Sequence, residues 1–169
     1  MLDAAFTWDD LARIRDRWPR RLVVKGVQHP QDADRLAAMG IDAVWVSNHG
    51  GRQLDGAVSA IESLPGVVLA IRGRAEVMID SGIRRGVDIV KAMASGAGCV
   101  AFGRPALFGA CAAGERGAHR AIAILIDEME QAMKLCGTPD TGAIGPSLIE
   151  PGARVAQVPA TMPRAPNMA

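Results

Sequence analysis

Short apolar runs alternate along this chain with stretches in which apolar residues return every three or four positions. The runs at Arg21 to Lys25 (RLVVK), Ala43 to Ser47 (AVWVS), Glu76 to Asp80 (EVMID) and Cys99 to Gly103 (CVAFG) predict strands. Between them the pattern predicts a helix from Asp32 to Met39 closed by Gly40, a short helix from Gly56 to Leu64, and a helix near Val87 to Ser95. A long helix is expected from Arg116 to Cys136, where Ile122, Leu125, Ile126, Met129 and Met133 recur at helical spacing and Gly137 with Pro139 supplies the stop. Before the first strand, Thr7 to Trp18 reads as a capped amphipathic helix ended by Pro19. Apolar strands without polar alternation, each followed by a helix, predict a parallel sheet covered by helices.

After about Thr138 the periodicity stops and proline and glycine recur, which predicts an irregular tail over 138–169, partly disordered near its end. The preceding 137 of the 169 residues suffice for one core. A net charge of +1 gives no reason to expect a nucleic-acid partner or an anionic membrane surface. The acidic opening MLDAAFTWDD predicts no export signal. The three cysteines, Cys99, Cys111 and Cys136, form no pairing framework or metal-ligand spacing, so reduced thiols and a cytoplasmic location are expected. The chain has no tyrosine, so no phenol can act as acid, base or substrate donor.

Polar chemistry collects where ligands bind parallel α/β folds, beyond the carboxyl ends of the strands. The first predicted strand ends at Lys25 and Gly26, and the second at Ser47, Asn48 and His49, with Arg52 three residues on. The third ends at Asp80 and leads into SGIRRG, and the fourth at Gly103 and Arg104. Ser81, Gly82 and Gly103 would let backbone N–H groups approach an anion, and Arg84 and Arg104 could add charged hydrogen bonds. Such a pair of loops suits a phosphate, with the helix starting near Gly86 directing its positive end that way.

Four segments occur in order: VKGV (24–27), SNHGGRQLDGA (47–57), IDSGIRRGVDIVKAMASGA (79–97) and FGRP (102–105). Over roughly Leu2 to Ile149 they closely resemble the FMN-dependent α-hydroxy acid dehydrogenases and oxidases, a family that includes glycolate oxidase, lactate dehydrogenase and mandelate dehydrogenase. SNHGGRQLD is the most specific of the four. FTWDDLARIRDRWPRRLVVKG looks most like the mandelate and lactate dehydrogenase branches. The resemblance implies a TIM (βα)₈ barrel, of which this chain matches the C-terminal half, strands five to eight with their helices. It implies FMN as cofactor and oxidation of a small L-2-hydroxy acid of the lactate, mandelate or glycolate type to the 2-oxo acid.

On that resemblance His49 is the base, taking a proton from the substrate hydroxyl or from its α-carbon. Arg52 would grip the substrate carboxylate with both guanidinium arms; the alternative is a surface ion pair with Asp55. Lys25 would sit beside the flavin N1 and C2 carbonyl, where negative charge gathers on reduction, or would merely snorkel from its strand end. Ser47 is expected on the same flavin edge. Asp80, Ser81, Gly82, Ile83 and Arg84 resemble the ribityl and phosphate segment, and Gly103 with Arg104 the second phosphate contact, while Asp80 alone could be a turn former. His29 and His119 are expected at the surface, and the methionines in the core. The family's first barrel half carries further substrate and flavin contacts. The competing expectation is therefore a non-catalytic remnant, or one half of a split enzyme. Unpaired sheet edges predict that the chain pairs with itself or with a chain supplying the other half. The electron acceptor (oxygen, a quinone or a cytochrome) is left open, as is peripheral membrane association.

Overall fold

The structure, a computed structural model, describes residues 5–150. Helix α1 (Trp8–Arg17) precedes four strand–helix pairs: β1 (Val23–Val27) with α2 (Pro30–Ala38), β2 (Ala43–Val46) with α3 (Ala60–Ile71), β3 (Glu76–Ile79) with α4 (Gly86–Ala94), and β4 (Cys99–Val100) with α5 (Arg104–Leu135). The strands form one parallel sheet in the order β1-β2-β3-β4, as the alternating patterns imply.

Local chemistry starts the first three helices. Thr7 and Asp10 form a reciprocal capping box at α1, with Thr7 N–H donating to Asp10 at 2.8 Å. The hydrogen bonds from Thr7, aided by Arg13, hold the Asp10 carboxyl at about 2. His29 caps α2 by accepting from Gln31 N–H, with Pro30 in the first turn, and Ser59 caps α3 by accepting from Glu62 N–H.

The two sheet faces differ. Val44, Val46, Val77 and Ile79 point toward the helices and bury themselves with Leu36, Ile41, Leu64, Val67 and Ile71. Burial of each such side chain stabilises the fold by about 1.5–3 kcal/mol. On the opposite face Lys25, Trp45, Met78 and Cys99 stand side by side in register. That inner face is open: Val23 is 45% exposed, Cys99 is exposed, and the buried Nε1 of Trp45 has no hydrogen-bond partner among the described residues.

Several expected boundaries move. β1 runs to Val27 instead of ending at Lys25, because Gly26 (φ 93) forms a bulge where two residues of β1 pass one of β2. β2 and β3 stop one residue short of Ser47 and Asp80, and β4 keeps only two of its expected residues. α3 starts at Ala60, since Gly56 is left-handed (φ 76) and Ser59 supplies the cap, and it runs through Pro65 to Ile71. An interior proline costs about 3 kcal/mol. Leu64, Pro65, Val67, Val68 and Ile71 are all buried, and that burial outweighs the break.

α5 begins at Arg104, twelve residues before the expected Arg116. Gly103, Pro105 and Gly109 look like breakers in sequence, yet Gly103 is only the cap and Pro105 lies in the first turn. The helix breaks at Ala113 and Gly114 (φ 60, ψ −142), and Gly109 meets Gly117 across the break. His119 and His29 are exposed, as expected. Residues 138–150 hold two single 3₁₀ turns, with Ile144 buried against Val90, Ala94 and Met133. The rest of the expected irregular tail, 151–169, lies outside the described residues.

A Cβ on Gly117 would stand 1.9 Å from the Gly109 carbonyl oxygen, whereas one on Gly145 meets nothing within 4 Å. In chemical denaturation Gly117→Ala is expected to lose about 1–3 kcal/mol or more. Gly145→Ala is expected to stay within about 0.5 kcal/mol of the parent.

Candidate functional site

The polar residues at the strand ends form one connected group. Lys25 Nζ lies 2.6 Å from Asp80 Oδ2 and donates to Ser47 Oγ at 2.8 Å, which ties β1, β2 and β3 together. Ser47 is fully buried, and its oxygen also accepts from His49 N–H at 3.1 Å. Its own proton is then left for Asp80. Ser81 Oγ donates to Asp80 Oδ1 at 2.8 Å and accepts from Gly50 N–H at 3.0 Å, so the loop after β2 is fastened to the loop after β3. Burial raises the Asp80 carboxyl. Hydrogen bonds from Lys25, Ser47 and Ser81, with the Lys25 charge, outweigh that and hold it below its ordinary value.

The His49 imidazole lies over β1 at the bulge: a Cβ on Gly26 would be 3.0 Å from its Nε2. Any side chain at Gly26 would therefore both strain the backbone and displace the ring. His49 (φ 55) and Ser81 (φ 73) are left-handed, a conformation that costs a non-glycine residue about 1–2 kcal/mol. Arg72, also left-handed, merely ends α3. Backbone strain at two adjoining candidate residues marks this corner as one the surrounding structure holds in place.

Beside this group a cleft of about 450 Å³ opens between the loops after β2 and β3 and the starts of α3 and α4. Gly50, Ser81, Gly82, Ile83, Lys91 and Arg104 are among its lining residues. Arg104 packs over Gly50, its Nη2 3.3 Å from where a Cβ would stand. Gly82 (φ 80) and Gly103 both face open space, with no described residue within 4 Å of an added Cβ.

The expected site residues thus separate into an inner set, Lys25, Ser47, His49 and Asp80, and a cleft set, Ser81, Gly82, Ile83 and Arg104, joined through Ser81. Two arginines stand apart. Arg52 is exposed and its side chain pairs with no described residue, so the alternative ion pair with Asp55 is not formed. Arg84 is exposed outside the cleft lining, with its N–H bonded to Asp88. Sequence reasoning named Asn48 only as a strand end, whereas it accepts from Gly51 N–H and shapes the His49 turn, and it missed Lys91 and Asp88, which line the cleft with Asn48. Helical spacing from Gly86 could have placed Asp88 and Lys91 near the loop. Nothing in the sequence points to the contacts of Asn48.

Parallel strands thus end in a polar, cation-bearing set of residues beside a glycine-lined cleft. The chain matches the family of FMN-dependent dehydrogenases over residues 1–151, and it belongs to that family. It is 48% identical over 136 residues to L-lactate oxidase from Nostoc sp., spanning 80% of this chain and 37% of that protein. It is 45% identical over 149 residues to (S)-mandelate dehydrogenase from Pseudomonas putida, spanning 88% and 37%. A soluble mutant of the membrane-associated (S)-mandelate dehydrogenase from the same organism superposes with a TM-score of 0.84 at 44% identity, covering 88% of this chain and 42% of that one. The structural relatives are TIM-barrel FMN enzymes, and the four-stranded sheet is consistent with part of such a barrel. The chain spans about two fifths of the length of the relatives it matches. No helix among the described residues is long and apolar enough to cross a membrane.

FMN is the cofactor of this family, and the residues present fit it. Gly82 and Gly103 leave room for an anion against the backbone, and Arg104 and Lys91 bring positive charge to the cleft.

Because Asp80 titrates below the ordinary carboxylate value of 3.8, its contribution is present above that value and lost as pH falls through the folded one. Asp80→Asn is expected to cost about 1 kcal/mol near pH 7, a figure reduced because Lys25 is 40% exposed. In denaturation curves taken at stepped pH, the gap between parent and variant should hold above about pH 5 and shrink below 3.8. A gap that widens in acid would contradict the assignment.

Proposed function

We propose that this chain is strands five to eight of an FMN-dependent enzyme that oxidises a small L-2-hydroxy acid to the 2-oxo acid. The observation that carries the reading is the convergence of Lys25, Ser47, His49 and Asp80 at one end of the open inner face, next to the glycine-lined cleft. The names of the relatives, L-lactate oxidase and (S)-mandelate dehydrogenase, supply the substrate class.

FMN, when bound, accepts the two electrons that the substrate loses. His49 takes up a proton, from the hydroxyl or from the α-carbon, and its imidazole suits either. Arg52, exposed and without a protein partner among the described residues, binds the substrate carboxylate. Lys25 supplies fixed positive charge beside the flavin ring, held by Asp80 and Ser47. Asp80, Ser81, Gly82 and Ile83 would hold the ribityl chain and phosphate, with Gly103 and Arg104 completing the grip and Arg84 reaching in from outside the cleft lining.

The open inner face and the unsatisfied Trp45 Nε1 support a second part of the reading. Four further strands, from another segment or another chain, close the barrel over that face. The free cysteines Cys99, Cys111 and Cys136 fit a reducing, cytoplasmic setting.

The test is to supply an N-terminal barrel half, load FMN, and add L-lactate, (S)-mandelate or glycolate without oxygen. Flavin absorbance should fall with one of them, about 10²–10⁴-fold more slowly in His49→Gln. Sedimentation should show the chain associating with itself or with the added half. Undiminished bleaching in His49→Gln, or a stable monomer indifferent to the added half, would sink the reading.

A further inference from the structure

The turn that carries Ser81, Gly82 and Arg84 is fastened from outside by a residue that belongs to none of the motifs. Glu128, on the second arm of α5, accepts from Arg85 Nε at 2.7 Å through one oxygen and from Gly86 N–H at 2.9 Å through the other. Asp88 Oδ2 accepts from Arg84 N–H at 3.0 Å and from Arg85 N–H at 2.9 Å. Three consecutive amides are therefore bound by two carboxylates, one on α4 and one 42 residues beyond Gly86 on α5. The packing is as tight as the hydrogen bonding. Gly86 is buried, and a Cβ there would lie 2.1 Å from Met129 N and 2.5 Å from the Glu128 carbonyl carbon.

We propose that Glu128 is a positioning residue for the phosphate end of the flavin site, acting through the Arg84–Gly86 turn without touching the ligand. The proposal rests on the flavin reading above and extends it to a residue outside the cleft lining. Ser81 (φ 73) and Gly82 (φ 80) are consecutive left-handed residues, a shape that an unanchored loop does not keep. Fixing the start of α4 fixes where that loop must end. The ordering cost is then met on folding and is not charged again to ligand binding. Arg85 also neutralises Glu128, so a carboxylate can hold this turn without repelling an incoming anion. The Arg85 guanidinium, then the Gly86 N–H, hold the Glu128 carboxyl below its ordinary value, which keeps both acceptor oxygens available.

The experiment supplies the N-terminal barrel half, titrates FMN into the full 169-residue chain and two variants so completed, and measures hydrogen exchange at residues 81–86 in each. Glu128→Ala is expected to bind FMN about tenfold more weakly, with faster exchange at 84–86. Glu128→Gln keeps an acceptor for Gly86 N–H and is expected to recover affinity to within about threefold of the parent. A role confined to fold stability would lower the melting temperature and leave FMN affinity unchanged well below it. Unchanged affinity in Glu128→Ala overturns the proposal, as does unchanged exchange at 84–86. If the parent chain takes up no FMN, the flavin reading fails, and the exchange result alone decides whether Glu128 holds the turn.

Discussion

The Lys25 ammonium reaches across three strands, and the geometry of the site hangs on where it ends. It donates to Ser47 on β2's end and pairs with Asp80 on β3's end, while its own strand bulges at Gly26 beside it. The Trp45 ring beneath it, 4.9 Å away, gives the charge an apolar floor and an electrostatic contact. A cation so placed fixes the spacing of the strand ends, which otherwise end in short, irregular loops. Through Ser47 the same atoms orient the His49 backbone, and through Asp80 and Ser81 they reach Gly50. The positions of His49, Lys25 and the loop after β3 therefore depend on one another.

Each sheet face has its own chemistry because side chains alternate along a strand. Residues facing the helices form a dry core of valine, isoleucine and leucine, which holds the sheet without any help from the other face. The inner face can therefore carry the Lys25 ammonium, a charge that a helix-covered face would not tolerate unpaired. Strain follows the same division. His49 and Ser81 are held left-handed where the loops meet, and the sheet below them is regular apart from the Gly26 bulge that admits the imidazole.

What the sequence made legible was local. Thr7 and the apolar runs declare helices and strands through short-range chemistry, and SNHGGRQLD declares a family. What it hid was long-range. Pro65 reads as a stop, yet the core on either side of it keeps α3 helical, and Gly103 with Pro105 conceals the start of α5. The Gly26 bulge has no sequence signal apart from the glycine itself, so β1 was expected to end two residues early. Glu128 could not be found at all, because its partners lie more than forty residues away and only packing brings them together. Arg52 and Arg84 show the reverse: the motif singles them out, while the fold leaves both side chains exposed.

Under the proposed function, the ends of four parallel strands form one continuous flavin surface with its anionic end at the last two loops. Comparing FMN with riboflavin, which lacks only the phosphate, tests this most directly. Equilibrium titration of the chain joined by an N-terminal barrel half should show FMN bound about tenfold or more tighter than riboflavin, the share due to charged hydrogen bonds at Arg104 and the neighbouring glycine loops. Equal affinity for the two, or binding of neither, would contradict it.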